Sequence, residues 1–244
     1  MQVENNKEQV PFAHYLALFE KADAAEMAAR TGAAWDGKEF YIELFGQMYA
    51  ISHPEYGIRR ADVVIGPYGQ NDREQGNTEQ SPSQKSEISD SPLYTRGPAL
   101  RGEGDMALPA LPVQTFLLRF LLEGKAVASQ GGWKTFREMP WGELYIKPYT
   151  GRVLTRAAFT FGTRVAAFRA ACEKLGAKPL PHGDAGYQLQ VLGDYAMQIM
   201  VWEGDDEFPP NAQVLYSDNF ETGFAPEDRV VAGDLLITAI KGKM

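Results

Sequence analysis

The stretch Tyr187-Gln188-Leu189-Gln190-Val191-Leu192-Gly193-Asp194-Tyr195-Ala196-Met197-Gln198-Ile199-Met200-Val201-Trp202 decides the fold class. Tyr187, Leu189 and Val191 alternate with Gln188 and Gln190, a period of two that sets a buried face against a wet one. Gly193-Asp194 is a two-residue turn of the kind that joins antiparallel strands, so the chain from Tyr195 to Trp202 returns beside its predecessor. Ala212, Val214 and Tyr216 alternate in the same way and predict a third strand.

Helical spacing flanks this hairpin. Upstream, Leu154, Ala157 or Ala158, Phe161, Val165, Phe168, Cys172 and Leu175 recur every three or four residues, with Gly176 as a stop and Gly162 as the place for a kink or split. Downstream, Pro226, Glu227 and Asp228 suit the first turn of a helix, where proline costs no hydrogen bond and carboxylates meet the positive dipole end. Val230, Val231, Leu235, Ile237 and Ile240 form its apolar face, which Gly233 weakens. In the N-terminal third, Phe12, Leu16, Phe19 and Met27 predict one helix over 11–30, closed by Gly32. Alternation over 38–45 and 47–52 about Gly46 predicts a second hairpin, ended by His53-Pro54, and 61–65 reads as a further short strand. The run 111–123 is an apolar helix stopped by Gly124. Thr135 and Glu138 have capping-box spacing for a single turn before Pro140, and 143–147 reads as a strand ended by Pro148.

These elements predict an α+β fold. A largely antiparallel sheet, built from the hairpins at 38–52 and 185–203, is covered by amphipathic helices at 153–175 and 226–241. The stretch 70–92 is almost wholly polar, with Ile88 its one large aliphatic residue, and is expected to be a flexible insertion. Residues 1–244 are then one α+β domain carrying that insertion at about 70–98.

Composition limits function. The formal charge is −8, from 32 acidic and 24 basic side chains, which disfavours nucleic acid and anionic membrane as partners. The densest basic run is Arg152, Arg156, Arg164 and Arg169. A single cysteine, Cys172, permits no intramolecular disulfide and cannot supply the thiolates of an iron–sulfur cluster, so no such cluster is expected. The first nine residues are polar, and the most apolar run, 116–122, is interrupted by Arg119. Neither a signal peptide nor a membrane span is expected, and the expected location is cytoplasmic.

Candidate chemistry is sparse. Glu203-Gly204-Asp205-Asp206-Glu207 places four carboxylates in five positions, a set that could hold a hard cation or supply an acid and a base. The competing reading is a solvated acidic turn, since the spacing matches no EF-hand loop. His182-Gly183-Asp184 could provide a histidine oriented by a carboxylate. Cys172 lies on an apolar stripe, where thiols behave as small hydrophobes. Gly102-Glu103-Gly104 lacks the preceding strand that a dinucleotide site needs. Trp133, Trp141, Tyr145, Tyr149 and Trp202 fall in or beside predicted strands and could wall a pocket for a flat ligand, or simply pack the core.

Several ordered motifs carry a resemblance: Gly132-Trp133-Lys134-Thr135-Phe136-Arg137-Glu138, Gly183-Asp184-Ala185, the run from Trp202 to Pro209, Val214-Leu215-Tyr216-Ser217-Asp218 and Pro226-Glu227-Asp228. With Arg30-Thr31-Gly32 upstream, the chain resembles the prokaryotic domain-of-unknown-function family 3786 over most of its length outside the polar insertion. The resemblance implies an anaerobic bacterial or archaeal setting. It also implies kinship with relatives that carry a cysteine-rich segment of the iron–sulfur type, which is missing here.

Three function classes are then open. The first is an accessory or binding module for a small molecule or partner in anaerobic redox or one-carbon metabolism, with Trp133, Tyr145, His182, Asp184 and Trp202 as ligand-binding residues. The second is a metal-assisted hydrolase using Glu203, Asp205, Asp206 and Glu207. The third is a docking protein with no ligand pocket.

Overall fold

A computed structural model of the protein describes residues 6–61 and 108–244. Most of the expected strand at 61–65, the polar insertion at 70–98 and Gly102-Glu103-Gly104 lie outside the described residues.

The N-terminal part opens with α1 (Asn6–Phe19) and α2 (Ala24–Thr31), where one helix was expected. The break follows from Asp23, which has an extended backbone and whose Oδ1 accepts the Glu26 N–H at 2.8 Å, beginning a new helix. Strands β1 (Ala34–Trp35), β2 (Glu39–Leu44), β3 (Gln47–Ser52) and β4 (Gly57–Ala61) form an antiparallel sheet in chain order. The expected hairpin is β2–β3. Its turn residues, Phe45 and Gly46, both have positive φ (49° and 75°), the backbone that matches the twist of a two-residue hairpin. A further strand, β4, was not expected; the chain re-enters the sheet at Gly57, which pairs with Ser52.

The remainder contains α3 (Leu111–Glu123), β5 (Trp133–Thr135), a 3-10 turn (Phe136–Glu138), α4 (Gly142–Tyr149), α5 (Arg156–Phe161) and α6 (Val165–Lys174). Then come β6 (Lys178–Leu180), β7 (Ala185–Leu192), β8 (Tyr195–Trp202), β9 (Asn211–Ser217), α7 (Phe220–Gly223) and α8 (Pro226–Lys241). The strands make a second antiparallel sheet in the order β5-β9-β8-β7-β6. The protein is therefore α+β with antiparallel sheets, but the two hairpins do not share one sheet. Each finds its own edge partners, and the sheets meet where the Phe45 N–H donates to the Val191 carbonyl at 2.9 Å.

The expected strand at 143–147 is a correction: these residues are helical. Alternation over five residues does not separate strand from helix, and tertiary contact decides it. Gly142 lies so close to the 3-10 turn that a Cβ there would stand 2.2 Å from the Phe136 carbonyl oxygen. The chain leaves that contact as a helix, starting with the Leu144 N–H bonded to the Trp141 carbonyl at 3.1 Å. Past Pro148, which cannot donate, the helix widens into a π-type turn (Thr150–Thr155) before α5. The long helical signal splits after α5 at Gly162, where a break was expected.

One hydrophobic cluster runs through both sheets. Helix α3 is its bridge, with Phe116, Leu117, Leu118, Phe120 and Leu121 all buried. Phe116 and Phe120 stack on Phe224, with centroids 5.5 and 5.4 Å apart. Phe224 in turn meets Tyr195 at 4.7 Å and Phe220 at 5.1 Å. Helix α8 lies against β9 and the π-type turn because Gly233 has no side chain. A Cβ there would meet the Tyr216 hydroxyl at 2.8 Å and Val153 at 2.9 Å.

Arg119, the one charge in the apolar run of α3, reaches Asp228 of α8 with its Nε 2.5 Å from Oδ1 and its Nη2 3.0 Å from Oδ2. It also bonds the Tyr15 hydroxyl of α1 and stands 4.7 Å from that ring's centroid. Burial pushes the Asp228 carboxyl up to about 6, and Arg119 offsets only part of that shift. The folded state therefore holds this proton more tightly than the unfolded chain, where aspartate titrates near ~3.9. The resulting stabilisation is complete below that value and is lost as pH rises through about 6. Urea unfolding between pH 4 and 7 is expected to show this falling component in the wild type and not in Asp228→Asn. Arg119→Met is expected to cost about 3–5 kcal/mol at pH 7, because it leaves a buried carboxylate without its cation. That cost should shrink at lower pH, where Asp228 becomes neutral.

Candidate functional site

A groove of about 280 Å³ opens beside the first strand of the larger sheet, between the 3-10 turn, α4, the π-type turn and β9. Beneath it lies the stacked pair Phe136 and Tyr149, both almost wholly buried, with ring centroids 4.1 Å apart and planes within 9°. Ile146, Leu154 and Val214 add apolar walls, while Thr135, Arg137, Thr150 and Gln213 bring polar groups. The helical course of α4 creates this face, since Ile146, Tyr149 and Thr150 fall at i, i+3 and i+4 and Leu154 continues the row one turn on.

The 3-10 turn is held rigidly. The Glu138 carboxylate accepts from the Thr135 N–H at 2.7 Å and from its hydroxyl at 2.8 Å within the expected capping box, and these bonds hold its pKa down. Arg229, itself buried, donates to the carbonyls of Phe224 (3.0 Å), Pro140 (2.8 Å) and Glu221 (3.0 Å), and so pins the segment after the turn. The next residue, Trp141, has φ 66° and is 67% exposed. A bulky residue in the left-handed region carries strain, here sustained by the bonds on either side. On the rim, the Arg137 Nε lies 3.2 Å from the Glu143 carboxylate, with both side chains well exposed.

Tyr149 and Tyr216 stand with their hydroxyls close together beneath the groove. Burial pushes both pKa values far above the ordinary tyrosine range, so both stay neutral. The Tyr216 hydroxyl donates to the Arg229 carbonyl at 2.9 Å, whereas the Tyr149 hydroxyl is buried without a well-formed hydrogen bond.

The residues singled out from sequence fall at separate places. Trp133 pairs with Ser217 at one end of β9, and Trp202 pairs with Asn211 at the other. Six residues of strand separate them, about 20 Å at ~3.4 Å per residue, so they do not wall one pocket. Tyr145 lies on α4, half-buried, and its hydroxyl bonds the Glu227 carboxylate of α8. At the Trp202 end, Asp184 Oδ2 accepts the Glu203 N–H at 2.7 Å, and the Asp184 N–H donates to the Val201 carbonyl at 3.0 Å. Asp184 therefore closes the mouth of the β7–β8 hairpin. His182 is exposed on the preceding turn.

In the acidic turn, Asp205 Oδ1 accepts the N–H groups of Glu207 (2.9 Å) and Phe208 (2.7 Å), bonds that lower its pKa. The Asp205 N–H returns to the Phe208 carbonyl at 2.9 Å. Glu203, Asp206 and Glu207 are exposed. Among the described residues, no group of three or more His, Cys, Asp or Glu side chains gathers to hold a metal ion. Cys172 is fully buried, and burial pushes its thiol up to about 12. The arginines of the basic run are engaged locally: Arg152 and Arg156 with Asp234, Arg164 with the Thr160 carbonyl, Arg169 with the Asp184 carbonyl.

Most motif residues prove to be joints of the fold. The Asp218 carboxylate accepts from the Ser129 hydroxyl (2.7 Å) and from the N–H groups of Gln130 (3.1 Å) and Gly132 (3.0 Å). These bonds lower its pKa. Arg30 caps α3 through the carbonyls of Gly124 (3.0 Å) and Leu122 (2.7 Å), the favourable place for a cation. A family model described as Domain of unknown function (DUF3786) matches residues 97–239. The chain belongs to this family. The matched region contains the whole groove, the acidic turn and most of α8. No curated protein and no solved structure matches the chain.

The sequence reading missed the groove. Arg137 stood inside a quoted motif and Tyr149 among the noted aromatics, but reading 143–147 as a strand scattered Ile146, Tyr149 and Thr150 over two faces. The helical period was the signal that would have found them. The Tyr149 hydroxyl gives a direct check. Tyr149→Phe is expected to change the thermal midpoint little, because no well-formed hydrogen bond is lost with it. Tyr216→Phe is expected to lower stability by about 1 kcal/mol through loss of its bond to the Arg229 carbonyl.

Proposed function

We propose that this family member is a binding module, and that the groove at Arg137 holds a small molecule. The observation that carries this reading is the groove itself: a hollow of about 280 Å³ above buried aromatic rings, with Ile146 and Leu154 as half-buried apolar walls and a few polar groups at its edge. A role in anaerobic redox or one-carbon metabolism accords with the setting that the family resemblance implies. The site differs from the one anticipated around Trp133 and Trp202, neither of which lines the groove. Native mass spectrometry of the protein purified anaerobically from its own cells is expected to show a stoichiometric small-molecule adduct. Thr150→Trp, which fills the groove from an exposed position, is expected to abolish that adduct without unfolding the chain. A bare mass for the wild type, or an adduct that survives in the variant, overturns the reading.

A second reading, docking to a protein, is favoured by one observation. Trp202 is 38% and Phe208 is 66% exposed, and both flank the acidic turn. The turn is held by the bonds of Asp184 and Asp205 and by the Gly204 N–H on the Gly162 carbonyl at 3.3 Å, so the aromatics are displayed on a fixed loop. If this loop docks a partner, Trp202→Ala with Phe208→Ala weakens co-purification of that partner at unchanged stability. Hydrolysis at the acidic turn has less support, because Asp205 is engaged within its own loop and its neighbours face solvent.

A further inference from the structure

We infer that the groove selects a small carboxylate anion and that Arg137 is its counter-ion. The inference rests on the reading of the groove as a ligand site and adds the chemical class of the ligand. On a chain of formal charge −8, the groove lining contains a cation, Arg137, and no carboxylate. Its partner Glu143 stands outside the lining, and the pair is exposed, with side-chain exposures of 63% and 70%. Exposed pairs of this kind contribute little, so a ligand carboxylate can take the place of Glu143 at small cost. Arg137 meets Glu143 through Nε, which leaves both Nη groups with N–H bonds to give.

The rest of the lining fits the same ligand. Ile146 and Leu154, the half-buried apolar residues of the lining, offer contact to a small apolar body. The Gln213 amide forms no hydrogen bond to other described residues and is available as a further donor or acceptor. A planar guanidinium matches a planar carboxylate through two parallel bonds. A phosphate dianion calls for more, commonly several backbone N–H groups or a helix N-terminus together with a cation. One arginine beside apolar residues suits a monoanion.

The test is an NMR titration of the full chain with benzoate and with its neutral isostere benzamide, read at the amides of Arg137, Ile146, Thr150 and Gln213. Benzoate is expected to bind at least about tenfold more tightly than benzamide, because its contact with Arg137 is charge-assisted. Arg137→Gln should reduce that preference to near unity, while Arg152→Gln, outside the groove, should leave it intact. Glu143→Gln should tighten benzoate binding by freeing Arg137, an effect that a merely structural arginine would not produce. Equal binding of the two compounds at the groove, or a preference that survives in Arg137→Gln, overturns the carboxylate assignment and leaves the groove reading standing. No shift at the groove amides with either compound overturns both.

Discussion

The burial of α3 is the constraint on which the rest of the structure depends. A helix with apolar side chains on nearly every face has to be surrounded, and here α1, α2 and α8 do so. Its Phe116 and Phe120 continue the core into the aromatic group of Tyr195, Phe220 and Phe224 at the larger sheet. The same burial makes Arg119 require a partner, and that requirement ties the first turn of α8 to α3. Charges in such a place need compensation more than they add stability, which accounts for a network that includes Asp228, Tyr15 and Glu123 together.

With α8 anchored at that end, its body is free to lie on β9 and the π-type turn, where Gly233 admits Tyr216 and Val153. The groove is a consequence of this arrangement. Arg229, one residue after the buried Asp228, pins Pro140, and Pro140 fixes the departure of α4. The widened turn after Pro148 then aims Tyr149 under Phe136 rather than out to solvent. The strain at Trp141 marks the point where these demands meet, since a left-handed residue there lets α4 leave the 3-10 turn with Gly142 in contact.

The family motifs therefore divide into two kinds. Asp218, Asp184 and Asp228 join separate parts of the chain through bonds to backbone N–H groups or a paired side chain. Their side chains are occupied, which leaves them little capacity for a ligand. Arg137 is different, for it is held only by an exposed acid.

What the sequence determined by itself was local: both hairpins, α3, the split at Gly162, the start of α8 and the burial of Cys172 followed from spacing, turn residues and capping chemistry. Those signals act over a few residues, so they survive without knowledge of the fold. The tertiary structure decided the rest. It separated the two hairpins into two sheets, because each strand edge accepts whichever neighbour the core brings to it. It turned 143–147 into a helix through the contact at Gly142, and in doing so put Ile146, Tyr149 and Thr150 on one face. It also placed Trp133 and Trp202 at opposite ends of a strand. A candidate site built from side chains on several elements depends on those placements, and no local period or motif encodes them.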